Sequence, residues 1–305
     1  MDAIHALLLC VCPSIRLWAM VAGPNFEQSL CNALFNEACN AVDNDSSSPP
    51  ILLKGLREVH IEHWDGSREP SITTFAPILS LGSLEVLRLQ AVDFDAYEAN
   101  PLRGVQSNTK ALYFTSTYIT DDGFECLLRA FPQLEVLSIS LGGHANKVYL
   151  DYPNCGRYLT QHAKGLQEFR LTVDDHDDVC LMQSPDREPF ESLKALTSLR
   201  ILQINYATLL GGPFGQYAEE PMSLANLLPE YCLEELVIDD SCNFWSRCTD
   251  ARLSEVMLDH RFDKLKSIKL RKGAEAFGVK LDPMAVSQGW DGSQTTEDWI
   301  ELRKM

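Results

Sequence analysis

Basic residues are scarce in this chain. Its 305 residues hold 26 lysines and arginines against 43 aspartates and glutamates, a formal net charge of −17. A surface of that sign repels phosphate backbones and anionic headgroups, so neither nucleic acid nor a membrane surface is expected as a partner. Long apolar runs are missing too. No stretch reaches the ~20 consecutive apolar residues that a bilayer-spanning helix needs. The ten cysteines are too few and too irregularly spaced for a disulfide scaffold. Most fall in apolar runs, such as Cys126 in "FECLLRAF" and Cys232 in "EYCLEEL". Free cysteine acts there as a small buried hydrophobe, so reduced thiols and a cytoplasmic or nuclear compartment are expected.

Signatures of site chemistry are equally sparse. "LGGH" and "LLGG" have neither the lysine nor the spacing of a phosphate-cradling loop. In "HIEH", His60 and His63 lie three apart on an expected strand and so face opposite sides. "DDHDD" (Asp174 to Asp178) lacks the glycine turn and ligand spacing that calcium requires, and reads as a solvated loop. The pairs Cys10/Cys12, Cys31/Cys39 and Cys242/Cys248 do not have zinc spacings. "SLGSLE" is no nucleophile elbow. No cofactor and no metal site is therefore expected, and the leading expectation is a protein without catalytic activity. An enzyme with a site assembled from distant residues is the second reading, and a degenerate duplicate without activity the third.

What the chain does have is a repeat. The template L-x-x-L-x-L, with conservative apolar swaps, recurs nine times. The copies are "IRLWAM" from Ile15, "LREVHI" from Leu56, "LEVLRL" from Leu84, the weak "TKALYF" from Thr109 and "LEVLSI" from Leu134. "LQEFRL" from Leu166, "LRILQI" from Leu199, "LEELVI" from Leu233 and "LKSIKL" from Leu265 complete the set. Positions 4 and 6 alternate with polar neighbours, the period of a half-buried strand. Between copies lie stretches with helical spacing such as "DDGFECLLRAFPQ", with Thr120 or Asp121 as N-cap and Pro132 closing the segment. Each unit thus reads as a strand, a turn and usually a helix, which can bury its apolar face only by stacking on its neighbours. A doubly wound sheet would carry near-continuous apolar strands instead.

In this pattern, and best in "ITDDGFECLLRAFPQLEVLSI" and "LLLCVCPSIRLWAM", the chain resembles leucine-rich repeats of the longer, irregular kind. It is similar over about residues 1–275 to the repeat region of fungal F-box/leucine-rich-repeat proteins. The resemblance implies an α/β solenoid over residues 1–282, with parallel strands on a concave face and helices on the convex face. It also implies the substrate-recognition module of an F-box-type ubiquitin-ligase adaptor, and hence a protein partner, a ubiquitination substrate. The chain departs from the family in one respect. Nothing N-terminal of Ile15 has room for an F-box, and an element upstream is expected.

The opening "MDAIHALLLCVCPSIRLWAM" matches "DDGFECLLRAFPQLEVLSI" in register, with Asp2 on Asp121, Leu8 and Leu9 on Leu127 and Leu128, and Met20 on Ile139. It therefore reads as the helix and strand of a first repeat, with an apolar helix edge left exposed. Its aspartate at position 2 argues against a signal peptide, although "AMVAG" keeps secretion as the alternative. Pro-, Gly- or Ser-rich insertions occupy residues 41–50, 183–192 and 211–221. Residues 283–305 form a capping segment or tail, with a short helix expected from Thr296 carrying Trp299, Ile300 and Leu302.

The template also assigns an outward face. With positions 4 and 6 inward, positions 3, 5 and 7 line the exposed sheet. His60, Arg88, Tyr113, Arg170, Gln203, Asn205 and Lys269 are the expected protein-binding residues on it. Tyr113 stands between Arg88 and Arg170 in this reading, and the face is more basic than a rim of Asp65, Asp93, Asp95, Asp174 and Asp239. Aromatic and arginine side chains of this kind make interface hot spots. By itself the chain is expected to be a monomer.

Overall fold

The computed structural model describes residues 2–12, 14–22, 26–43, 53–63, 70–94, 102, 104–142, 150–173, 190–205, 208–209, 223–239, 247–271, 283–295 and 299–305. It is a mixed α/β structure of two compact units, Met1–His144 and Ala145–Met305.

The first unit begins with helix α1 (Asp2–Val11), strand β1 (Leu17–Ala22) and helix α2 (Leu30–Asp43). Strand β2 (Glu58–His63), the single-turn helix α3 (Ala76–Leu79), β3 (Val86–Gln90) and the two-residue β4 (Asp93–Phe94) come next. β5 (Ala111–Ile119), α4 (Asp121–Ala130) and β6 (Val136–Leu141) complete it. Strands β1, β2, β3, β5 and β6 pair in that order, all parallel. β4 adds to the far half of β5, where Ala91 and Ser116, at φ 54° and 49°, turn the backbone out of the first ladder.

Two helix starts are capped by side chains. Thr120 caps α4 through its Oγ1, which accepts the Gly123 N–H at 3.2 Å. The start of α2 is held from two sides. Asp2 accepts the Leu30 and Cys31 N–H groups at 2.6 and 3.2 Å, and Ser29 Oγ accepts that of Asn32 at 3.0 Å. This places α1 against α2. The correspondence of the opening with the later repeat extends to the element bounds, since α1 and β1 sit on the same template positions as α4 and β6.

The second unit contains α5 (Tyr152–His162), β7 (Glu168–Val173), β8 (Ile201–Ile204), β9 (Glu235–Ile238), α6 (Arg247–Leu258) and β10 (Ser267–Arg271). Helix α7 (Pro283–Ser287), β11 (Trp290–Thr295) and β12 (Trp299–Lys304) end the chain. β7, β8, β9 and β10 are parallel neighbours. β12 then joins β10 antiparallel, and β11 joins β12 antiparallel. The expected helix over Trp299, Ile300 and Leu302 is therefore a strand. Its apolar pair Ile300/Leu302 is spaced by two, and the charged Glu301 and Arg303 alternate with it, the period of a strand rather than a helix. Trp290 anchors this hairpin, buried, with its indole N–H donating to the Met257 carbonyl at 3.3 Å.

All nine template sites carry strands. Positions 4 and 6 are buried in each of them, apart from Met20, which is half-buried. The first-position leucines at 56, 84, 134, 166, 199, 233 and 265 are buried as well, and each contributes about 1.5–3 kcal/mol of apolar burial. The weak copy is accounted for by Thr109, which is buried in place of leucine. Its Oγ1 meets Ser107 Oγ at 2.9 Å and the Leu84 carbonyl at 3.4 Å. Aromatic contacts tie the elements together, including Trp18 of β1 to Phe35 of α2, Phe94 of β4 to Phe114 of β5, and Phe190 to both Tyr152 of α5 and Phe169 of β7. Among the described residues, some connections also contain short turns. A 3-10 turn at Ile72–Phe75 precedes α3, and another at Leu224–Asn226 precedes β9. Most of residues 41–50, 183–192 and 211–221 lies outside the described residues.

Candidate functional site

Parallel pairing in a constant register places the same template position of successive strands side by side. In the first unit, position 5 brings His60, Arg88, Tyr113 and Ser138 into one row across β2, β3, β5 and β6. Tyr113 thus has Arg88 on one side and Ser138 on the other. The Arg88 guanidinium lies 3.7 Å from the Tyr113 ring centroid, close enough to the aromatic face for a cation–π contact. On its other side Arg88 reaches Glu58, Nε to Oε1 at 3.5 Å, and the same oxygen is 2.7 Å from His60 Nε2. The His60 hydrogen bond, with Arg88 behind it, holds Glu58 below the usual carboxylate range against the upward push of its partial burial. Arg88, His60 and Tyr113 are all half-buried, so the group is fixed in place and still faces solvent.

In the second unit the row is Arg170, Gln203, Val237 and Lys269. Arg170 donates to Glu168 at 2.6 Å and to Gln203 Oε1 at 3.1 Å. Lys269 donates to Glu235 at 2.9 Å, and Arg271 to Asp239 at 3.2 Å. Two residues depart from the expected face. Asn205 is only 5% exposed. β8 ends at Ile204, so the strand alternation no longer governs position 205, and the Asn205 carbonyl accepts the Leu209 N–H. Val237 is buried as well.

The expected basic face beside an acidic rim is corrected too. Each basic side chain on the face has an acidic partner, and three of those partners, Glu58, Glu168 and Glu235, occupy template position 3. Asp239, expected on the rim, pairs with Arg271. Asp65, Asp95 and Asp174 lie outside the described residues, as does the whole of "DDHDD". The signal for the acids was present, since glutamate precedes the base by two residues in "LREVHI" and "LQEFRL", and "LEELVI" carries it at the same position. Residues two apart on a strand share a face.

A second row of charge runs along template position 2. Arg57 meets Glu85 at 3.6 Å and Lys110 meets Glu135 at 2.9 Å in the first unit. In the second, Glu234 lies between Arg200 at 2.6 Å and Lys266 at 2.5 Å. The Arg200 and Lys266 bonds pull the Glu234 carboxyl down to about 2. Such exposed pairs contribute little to stability.

Free thiols are found at Cys10, Cys12, Cys31, Cys126, Cys155 and Cys232. Burial, and then the Asp2 carboxylate beside it, push Cys31 up to about 12, so it is no nucleophile. The side chains of His63, Cys39, Cys242 and Cys248 are outside the described residues. Among the described residues, no three His, Cys, Asp or Glu side chains gather as a metal site, and no helix is long and apolar enough to cross a membrane. No protein-family model matches this chain, and no curated protein is significantly similar to it.

Proposed function

We propose that the chain is a leucine-rich-repeat solenoid that binds a protein partner, without catalysis, on the open face of its parallel sheets. The observation that carries the reading is the Glu58–His60–Arg88–Tyr113 group, where an arginine stacked on a tyrosine is held half-exposed on a face that helices do not cover. Preorganised Tyr and Arg side chains lose little entropy on docking and are the residue types that dominate interface energetics. The acidic position-3 partners make this a face of alternating charge, suited to a peptide segment carrying both signs rather than to a uniformly acidic one. His60, Arg170, Gln203 and Lys269 extend the surface, and Asn205 is not part of it.

The same reading gives the chain the substrate-recognition role of an F-box-type ubiquitin-ligase adaptor, with a ubiquitination substrate as its partner. Affinity purification from native lysate with wild type, Arg88→Ala and Tyr113→Ala as baits tests both levels. The expected result is a stable partner that wild type holds and both variants lose. Retention of every partner by both variants overturns the face assignment. Recovery of a Skp-type adaptor with the wild-type bait supports the ligase role.

A further inference from the structure

The apolar side chains left in water are not scattered. Ile4, Leu7 and Val11 are each 61% exposed and Leu8 is 45% exposed, a stripe at i, i+3, i+4 and i+7 along α1. On the neighbouring strand β1, Leu17 and Val21 are 51% and 57% exposed with Ala19 between them, all on the open face. The corresponding places on β2 carry Glu58, His60 and Glu62. Between these two apolar layers runs the free edge of β1, which pairs with β2 on one side and, among the described residues, with no strand on the other. The strand "LWAMVA" carries no charge, proline or bulge of the sort that blunts an exposed edge.

The equivalent helix shows what such a face is for. In α4 the places of Ile4, Leu7, Leu8 and Val11 are taken by Gly123, Cys126, Leu127 and Ala130. Gly123, Leu127 and Ala130 are buried, with Gly123 pressed on the Phe94 backbone of β4. A face that packs against a neighbour in one repeat stands open in the other.

We propose that this edge is a dimer interface, occupied by a second copy of the chain through antiparallel pairing of β1 with its two-fold mate. A two-fold axis perpendicular to the sheet keeps both layers in place. α1 then meets α1 of the other copy on one side of the sheet, and the Leu17/Val21 row meets its counterpart on the other, an isologous contact. Charge also favours a second copy at this edge. The molecule is strongly acidic, yet residues 2–22 contain only Asp2 and Arg16 as charged side chains, and Asp2 is engaged in capping α2. Self-repulsion between two copies is therefore low here. Six strand residues span ~20 Å, and a strand layer with a helix layer is roughly 20 Å deep, so the footprint is on the order of 400 Å² per copy. Over both copies that is about 800 Å², below the range of stable specific interfaces, so a weak and reversible dimer is expected, forming in the micromolar range.

Sedimentation velocity on the full chain over roughly 1–100 μM tests this, with Leu7→Lys, Val21→Lys and Met284→Lys as variants. All three replace exposed side chains, and far-UV circular dichroism confirms that each still folds. The expected result is a concentration-dependent dimer, weakened at least about ten-fold by Leu7→Lys and by Val21→Lys and unchanged by Met284→Lys. A monomer throughout, an assembly larger than two, a dimer indifferent to Leu7→Lys and Val21→Lys, or one broken by Met284→Lys overturns the proposal.

Discussion

The Arg88 guanidinium lies 3.7 Å above the ring of Tyr113, on adjacent strands and in register. A contact of this kind at a half-exposed site contributes about 0.5–1 kcal/mol. A double-mutant cycle with Arg88→Ala and Tyr113→Ala, read by urea denaturation, should return a coupling of that size. Tyr113→Phe keeps the ring and should retain it. A coupling near zero would mean that the two side chains are neighbours without being partners.

Gly123 has a different constraint. A Cβ there would collide with the Phe94 carbonyl oxygen and come within 3.2 Å of Phe94 Cβ and Thr120 Oγ1. The carbonyl is fixed, because Phe94 belongs to a ladder with β5 and also accepts the Thr120 hydroxyl. Gly123→Ala is expected to lower stability by about 1–3 kcal/mol, although alanine is the better helix former. A rise in melting temperature would refute the close approach.

Asp2 is the N-terminal tie of the first unit. Partial burial pushes its carboxyl up, but the Leu30 and Cys31 hydrogen bonds outweigh that and hold it below the ordinary aspartate range. A folded-state value below the unfolded one means the contribution is present above about pH 4 and is lost as pH falls through the lowered value. Asp2→Asn should cost about 0.5–1 kcal/mol at pH 7, the lower part of the range for a helix cap because the site is partly exposed. The gap from wild type should narrow when the same urea titration is run near pH 3.

Glu234, between Arg200 and Lys266, has the same sign at a surface site. With its carboxyl held down to about 2, its stabilisation is complete above the unfolded value of about 4.3 and disappears as pH is lowered toward 2. Glu234→Gln should therefore melt slightly below wild type at pH 7 and together with it near pH 2. High salt at pH 7 should shrink the same difference. Equal melting temperatures at every pH would show that the register alone, without these charges, holds the strands.

The strands were legible because their signal is local. "LEVLRL" and its relatives alternate apolar and polar residues with period two, and one buried face demands that alternation wherever the segment lies. The helix at "DDGFECLLRA" was legible for the same reason, with its Thr120 cap adjacent in sequence. The C-terminal strand was within reach, since Ile300 and Leu302 are two apart, but the neighbouring Trp299 and acidic Glu297 and Asp298 gave it the look of a capped helix. Asn205 departs from the expected face because the end of a strand is set by the packing around it, and no local pattern marks that point.

Sequence by itself thus determined the nine strands, their inward residues and most of their outward ones, the match in register between the opening segment and a later one, and the apolar stripe on the first helix. Only the tertiary structure decided which charges meet. Glu58 serves both His60 and Arg88, Glu234 serves two bases that precede different strands, and Asp2 caps a helix that begins 28 residues later. Alternation is a property of consecutive residues, whereas an ion pair or a borrowed cap exists only once parallel register has brought distant template positions side by side.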